Sequence, residues 1–174
     1  MPALDLTNIT GGPAQLQVDT VRLSHTQGGI GFKVGPKNRM RTVDQYGVTS
    51  VDVLHQGDDV RVTAPLAEWT AVVLAKIYNP GNDQTAAAGA KWIGIGRSAG
   101  FIYTDFELLI IPLLTADAAK RAQFWRCTPV GEFEIKHTPD DDRVFSTEWA
   151  CMADPAGSGA TDGQLIGKIQ LAAA

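Results

Sequence analysis

One change of period constrains this chain more than any other feature. Most of the sequence alternates apolar and polar residues with a period of two, the pattern of half-buried strands. In 15–23, Leu16, Val18 and Thr20 alternate with Gln15, Gln17 and Asp19, and in 48–54, Val51 and Val53 alternate with Ser50 and Asp52. Only in 65–79 does the period lengthen. There Leu66, Trp69, Val73, Leu74 and Ile77 fall at the i, i+3, i+4, i+7 spacing of an amphipathic helix. Pro65 suits a first helical position, Thr63 or Ala64 its cap, and Asn79-Pro80-Gly81-Asn82 a stop. Trp69 and Leu74 then lie on the apolar face that packs against the strands. One helix between two blocks of strands excludes alternating βαβ units. The prediction is a mainly-β fold, a β-sandwich or partial barrel with one flanking α-helix and long extended loops.

The other elements obey the same rules. Met40 and Val43 mark a strand over 38–45, and Gly57-Asp58-Asp59 reads as a turn after which Val60 and Val62 resume the alternation. Ile102, Thr104, Phe106, Leu108 and Ile110 occupy one face of a further strand. Residues 115–123 suit a short second helix. Residues 124–137 and 143–152 read as a hairpin turning at Pro139-Asp140-Asp141-Asp142, since Pro and Asp suit turns. A last strand over 164–171 comes after the loose loop 156–162. The Gly- and Ala-rich stretch 80–100 carries no clear pattern, and loops this long are usually functional or disordered. No internal repeat is present, and 174 residues suit a single domain, 1–174.

Charge narrows the function. The net charge of −4 argues against a surface that grips phosphate backbones, which takes clustered Lys and Arg. No run approaches the roughly 20 apolar residues of a membrane helix. The opening MPALDLTNITGG lacks the basic and apolar regions of a secretory signal. Cys127 and Cys151 are too few and too far apart for a Cys₄ or C-x-x-C site and read as two thiols in a reducing compartment. His25, His55 and His137 have neither an i, i+4 partner nor a Cys at ligand spacing. No metal or cofactor is expected.

The stretch GIGRSAGFIYT, 94–104, holds the spacing of a nucleophile elbow around Ser98 and a Gly pattern close to a phosphate loop. Both motifs must lead into a helix. Gly100 leads instead into Phe101-Ile102-Tyr103-Thr104, β-branched and aromatic, which is poor helix text. Asp117 and His137 complete a triad order, but nothing in the sequence brings them to Ser98. The basic residues Lys33, Lys37, Arg39 and Arg41 surround Gly35-Pro36, which reads as a hairpin tip. That tip is either solvated or the contact for an acidic partner. Asp140, Asp141 and Asp142 offer a matching acidic tip, which a repeating assembly would bring to it. The acidic tip lacks the D-x-D-x-D-G spacing of a calcium loop.

In its order of segments the chain resembles the bacteriophage tail tube, or major tail, proteins. The resemblance rests on LDLTNITGG, then QVDTVRLSHTQGGIGFKVGPKNRMRTVDQYGVTSVDVLHQGDDVRV running into PLAEWTAVVLAKIYNPG, and on DRVFSTEWACMADP with DGQLIGKIQL after it. It implies a structural virion protein rather than an enzyme, assembled in the host cytoplasm and resident in the tail. It implies hexameric homo-oligomeric rings whose inner strands join into one barrel and which stack into a tube. DNA passes through the lumen of such a tube without specific binding, and tape measure and terminator proteins are its neighbours. Long loops reach between rings, so the Gly pattern around a bystander Ser98 lets backbone approach a neighbouring subunit. Lys91 and Arg97 then belong to subunit contacts rather than to the bore. A tail completion or terminator protein shares this pattern. A surface binding module would instead use Trp92, Phe101 and Tyr103 around a groove, and a serine hydrolase would use Ser98.

Overall fold

The computed structural model describes residues 12–23, 26–67, 70–78, 83–85, 91–93, 96, 98–114, 119–132, 144–157 and 163–171, with the backbone alone for 83–85 and 91–93. The described elements run β1 (Ala14–Val18), β2 (Val21–Leu23), β3 (Gly31–Thr42), β4 (Ser50–Leu66), α1 (Ala71–Ile77), β5 (Asp83–Thr85), β6 (Lys91–Ile93), β7 (Phe106–Pro112), β8 (Arg121–Pro129), β9 (Phe145–Met152) and β10 (Gly167–Gln170). Eight strands make one antiparallel sheet in the order β2-β1-β7-β8-β9-β4-β3, with β10 also on β8, and β5 pairs with β6 apart from it. The fold is therefore mainly β with one short α-helix, as the change of period predicts.

The sheet curls toward itself without closing. Thr26, just past β2 at one end of the strand order, bridges Leu66 of β4 near the other end. Gln27 N–H donates to the Pro65 carbonyl at 3.1 Å. The ring of Phe32 on β3 meets that of Phe124 on β8 edge-on, with centroids 5.6 Å apart, although β9 and β4 separate the two strands in the sheet. The inward faces of distant strands thus share one core, as in a sandwich or partial barrel.

Period-two alternation fills that core. Val60, Val62, Ala64 and Leu66 of β4, Phe106, Leu108 and Ile110 of β7, and Phe145, Thr147, Trp149 and Cys151 of β9 all point inward and are buried. Thr147 is accommodated because its hydroxyl donates to the Ala64 carbonyl at 2.7 Å. In β8 the alternation breaks. Leu108 faces Phe124, but Phe106 faces Cys127, so the register shifts there. The extra residue turns Cys127 to the same side as Ala122 and Phe124, where strict alternation would have turned it out.

Several boundaries differ from the sequence reading. Residues 15–23 form two strands, because a turn at Asp19 and Thr20 splits them. Asp19 holds φ 52 there, and its carboxylate accepts the Glu107 N–H at 3.0 Å. The helix begins at Ala71 rather than at 65. Pro65 and Leu66 belong to β4 instead, opposite Ser146 and Phe145, and Leu66 is fully buried. Burial on the sheet outweighs a helical spacing that Leu66 also happens to satisfy. Trp69 lies outside the described residues. Leu74 is only partly buried, packed at the edge of the core. Residues 121–123 open β8 rather than close a helix, since Ala122 is buried and paired with Ile110. Ile102 and Thr104 precede β7 instead of lying in it.

A seven-residue helix is marginal by itself, so its contacts hold it. The Thr70 hydroxyl caps it by accepting the Val73 N–H at 3.3 Å. Val73 and Ile77, one turn apart, enter the core. Lys76 reaches across the Phe106 ring, 4.1 Å from its centroid, to the Asp19 carboxylate at 2.7 Å. Thr70→Ala is expected to lower unfolding stability by about 1 kcal/mol, and Thr70→Ser to retain most of it. Urea denaturation checks both, and equal midpoints for all three proteins would show that the cap contributes nothing.

Candidate functional site

The feature of this fold that the core does not explain is the outer half of the β3–β4 hairpin. β4 is bonded to β9 only along Val60–Leu66. From Asp59 back to Ser50 its one strand partner among the described residues is β3, running from Gly35 to Thr42. A two-stranded arm roughly 30 Å long therefore leaves the sheet. Its tip is residues 43–49, built on a single 3-10 turn at Asp44–Tyr46, with Tyr46 N–H donating to the Val43 carbonyl at 3.0 Å. This corrects two expectations. Gly35 and Pro36 sit in mid-strand opposite Asp59 and Asp58 rather than at a tip. Gly57-Asp58-Asp59 is not a turn but part of β4. Between Gly57, which faces Lys37, and His55, which faces Asn38, the register gains a residue, and Gly57 takes φ 133. Composition marks a turn at that point, but the partner strand makes it a bulge.

The bulge sorts the arm into two faces. Lys33, Lys37, Arg39 and Arg41 line one face of β3, as their odd spacing dictates, and all four are exposed. The register sets them opposite Arg61, Gly57, Leu54 and Asp52. Arg41 Nη1 lies 3.7 Å from the Asp52 carboxylate. Arg61 Nε donates to Asp59 at 3.0 Å, and Arg61 Nη1 to Glu148 at 3.1 Å. The Arg61 hydrogen bond holds the Asp59 carboxyl below its usual range against the opposing cost of desolvation, with the charges of Arg61, Lys37 and Lys33 adding to the lowering. A depressed carboxyl stabilises the fold above its unfolded value and loses that contribution as pH falls through the folded one. The basic stripe thus has acidic neighbours in its own hairpin, and salt screens such exposed pairs.

The other face continues the core side of the sheet. Phe32 and Val34 of β3 stand opposite Val62 and Val60 of β4, and farther out Met40 stands opposite Val53, before a second register shift leaves Val51 without a partner in the ladder. Asn38, His55 and Asp58 form a polar band between these groups. His55 Nδ1 lies 3.2 Å from Asn38 Oδ1, and its Nε2 lies 3.6 Å from Asp58. Beyond that band Met40 is 64% exposed and Val53 53%, and at the tip Val48 is 98% exposed. Large apolar side chains thus stand exposed on a hairpin that, among the described residues, pairs with no third strand.

The remaining predicted residues lie away from the arm or beyond the described chain. Lys91 lies in β6 with its backbone opposite Thr85. Arg97, Asp117, His137, Asp140, Asp141, Asp142 and His25 lie outside the described residues. The stretch 80–100 is not patternless, since β5 and β6 pair within it beside α1. Gly96 holds φ 98, and its N–H donates to the Tyr78 hydroxyl at 3.0 Å, so one glycine of the motif docks on the helix end of its own chain. Ser98 is exposed in a turn closed by the Phe101 N–H on its carbonyl at 3.2 Å. Irregular chain and then β7 come after it, so no helix N-terminus stands behind Ser98. Phe101 and Tyr103 meet edge-on at 5.7 Å, each partly exposed.

These features define a mainly-β protein with a curled sheet and a protruding, two-faced hairpin arm. No known family model matches the chain, and no curated protein is detectably similar to it. Among the described residues no helix is long and apolar enough to cross a membrane.

Proposed function

We propose that this chain is a self-assembling structural subunit of a phage tail tube, whose β3–β4 arm packs against another copy. The observation that carries the reading is the apolar face of the arm. An isolated two-stranded hairpin is marginal in water, so an arm of this length gains a covering layer by meeting a second molecule. Among the described residues β3 is also an edge strand over its whole length, and closing subunits into a ring removes such edges. Its lysines and arginines oppose indiscriminate edge pairing, and the interleaved charges favour one register over others. The segment order of the sequence, a curled sheet with one small helix, and an open edge all fit rings that stack head to tail, a heterologous contact that propagates. On this reading the lumen passes DNA without specific binding, tape measure and terminator proteins meet the ends of the tube, and the protein resides in the virion tail.

The test is electron microscopy of the purified chain, with sedimentation across a concentration series. Hexameric rings or stacked tubes are expected. A chain that stays monomeric up to about 1 mM, where even contacts of about −4 kcal/mol would be populated, overturns the proposal.

A further inference from the structure

Cys127 on β8 and Cys151 on β9 are direct register partners. Next along the ladder come Thr128 opposite Ala150, then Pro129 opposite Trp149, and then Val130, whose N–H donates to the Glu148 carbonyl at 2.9 Å. Counting back from that bond, 127 and 151 occupy a pair without mutual ladder hydrogen bonds, where Cα atoms approach to about 4.5 Å. A disulfide tolerates Cα separations of about 4.4–6.8 Å, so the sheet already supplies the backbone geometry. The register shift in β8 turns Cys127 to the core side, which Cys151 also faces. The two free thiols meet there, with Cys127 Sγ 2.8 Å from Cys151 Sγ.

We propose that Cys127 and Cys151 are a reversible modification site, closing to an intrachain disulfide with a peroxide-class oxidant and reopening with small thiols. Cys151 is the entry sulfur, because it keeps 7% of its surface exposed while Cys127 has none. The hydrogen bond to Cys151, then burial, push the Cys127 thiol far above its usual range, so it does not meet the oxidant first. The Cys151 sulfur attacks a peroxide oxygen, the O–O bond breaks, and the products are a sulfenic acid and one water. The Cys127 sulfur then attacks the sulfenic sulfur. The S–O bond breaks, and hydroxide leaves with the Cys127 proton as a second water. The two sulfurs together lose two electrons to one hydrogen peroxide. The new bond closes a ring over residues 127–151 at the part of the β8 edge held by β9, next to the part held by β10. The inference stands apart from the assembly reading, because it needs only the folded subunit.

The experiment treats the folded chain with hydrogen peroxide, blocks remaining thiols with iodoacetamide, and reads intact mass and a peptide map. The expected product is lighter by about 2 Da for the two hydrogens lost, carries one Cys127–Cys151 cross-link and no alkylated cysteine, and reverts with dithiothreitol. Its unfolding equilibrium constant in urea should fall by at least about 10-fold, because the cross-link shortens the unfolded chain's reach. Cys151→Ala should show neither change. A sulfinic or sulfonic product, a cross-link between chains, or two alkylatable thiols after prolonged oxidation would each overturn the proposal. The map of the unsubstituted protein decides the question even if the alanine variant fails to fold.

Discussion

Replacing Met40 with Lys and Val53 with Glu in one chain is expected to abolish assembly while leaving the subunit folded. The two residues are cross-strand partners on the outer, apolar face of the arm, and both are more than half exposed. Surface substitutions of this kind usually change stability by no more than about 0.5 kcal/mol. The new charges attract each other across the hairpin, so the arm keeps its pairing. In an interface the same charges must be stripped of water, which costs several kcal/mol per subunit. A loss of roughly 3 kcal/mol per contact raises the concentration needed for assembly by about 100-fold. Sedimentation velocity and negative-stain images of the variant and the parent, at matched concentrations, measure this. A variant that forms rings or tubes at the parent's threshold would show that the face is not buried in the assembly. If the variant loses its urea midpoint as well, the arm is part of the fold rather than an appendage.

The second large effect lies in the core. Trp149→Ala is expected to lower unfolding stability by about 3–5 kcal/mol. Trp149 is fully buried on β9, opposite Val62 on one side and Pro129 on the other. The cavity it leaves would sit in the middle strands, where the curled sheet has little room to collapse. Domains are typically stable by only about 5–15 kcal/mol, so the variant should unfold at a much lower urea concentration. Trp149→Phe provides the control. The indole Nε1 is buried without a hydrogen-bond partner among the described residues. Phenylalanine removes that unpaired donor, which offsets part of the lost volume. The expected cost is about 1 kcal/mol or less. A Phe variant as unstable as the Ala variant would mean that the indole N–H is satisfied after all, and that its partner matters.

The candidate surface is only partly legible in the residues. Lys33, Lys37, Arg39 and Arg41 stand out as a basic set, and their odd spacing along an extended chain already places them on one face. Their acidic neighbours Asp52, Asp59 and Glu148 are not legible, because β4 and β9 bring them there from up to about a hundred residues away. Gly35-Pro36 and Gly57-Asp58-Asp59 carry strong turn chemistry, yet both lie within long strands. Pro36 is tolerated there because β3, among the described residues, is an edge with a partner on one side only. Gly57 is tolerated because a bulge can use its positive φ. The true tip at Asp44–Tyr46 has no Gly-Pro signal ahead of it, so its composition suggests only the end of a strand.

Local periodicity determined what is decided within a few residues. Alternation at Val60–Leu66, Phe106–Ile110 and Phe145–Cys151 specifies strands with one apolar face, and 71–77 has the spacing of a helix. A mainly-β fold results, because each apolar face must be covered and only sheet against sheet can cover so many. The tertiary structure alone decided which strands are neighbours, how far β4 runs past its partner in the sheet, and where the alternation slips. Each slip reverses the facing of every residue beyond it. The slip in β8 turns Cys127 toward Cys151, and the slip at Gly57 puts Val53 on the core side of the arm, opposite Met40, whose own strand alternates without a slip. Those facings depend on pairing partners distant in sequence, and a period read along one strand carries no information about its partner.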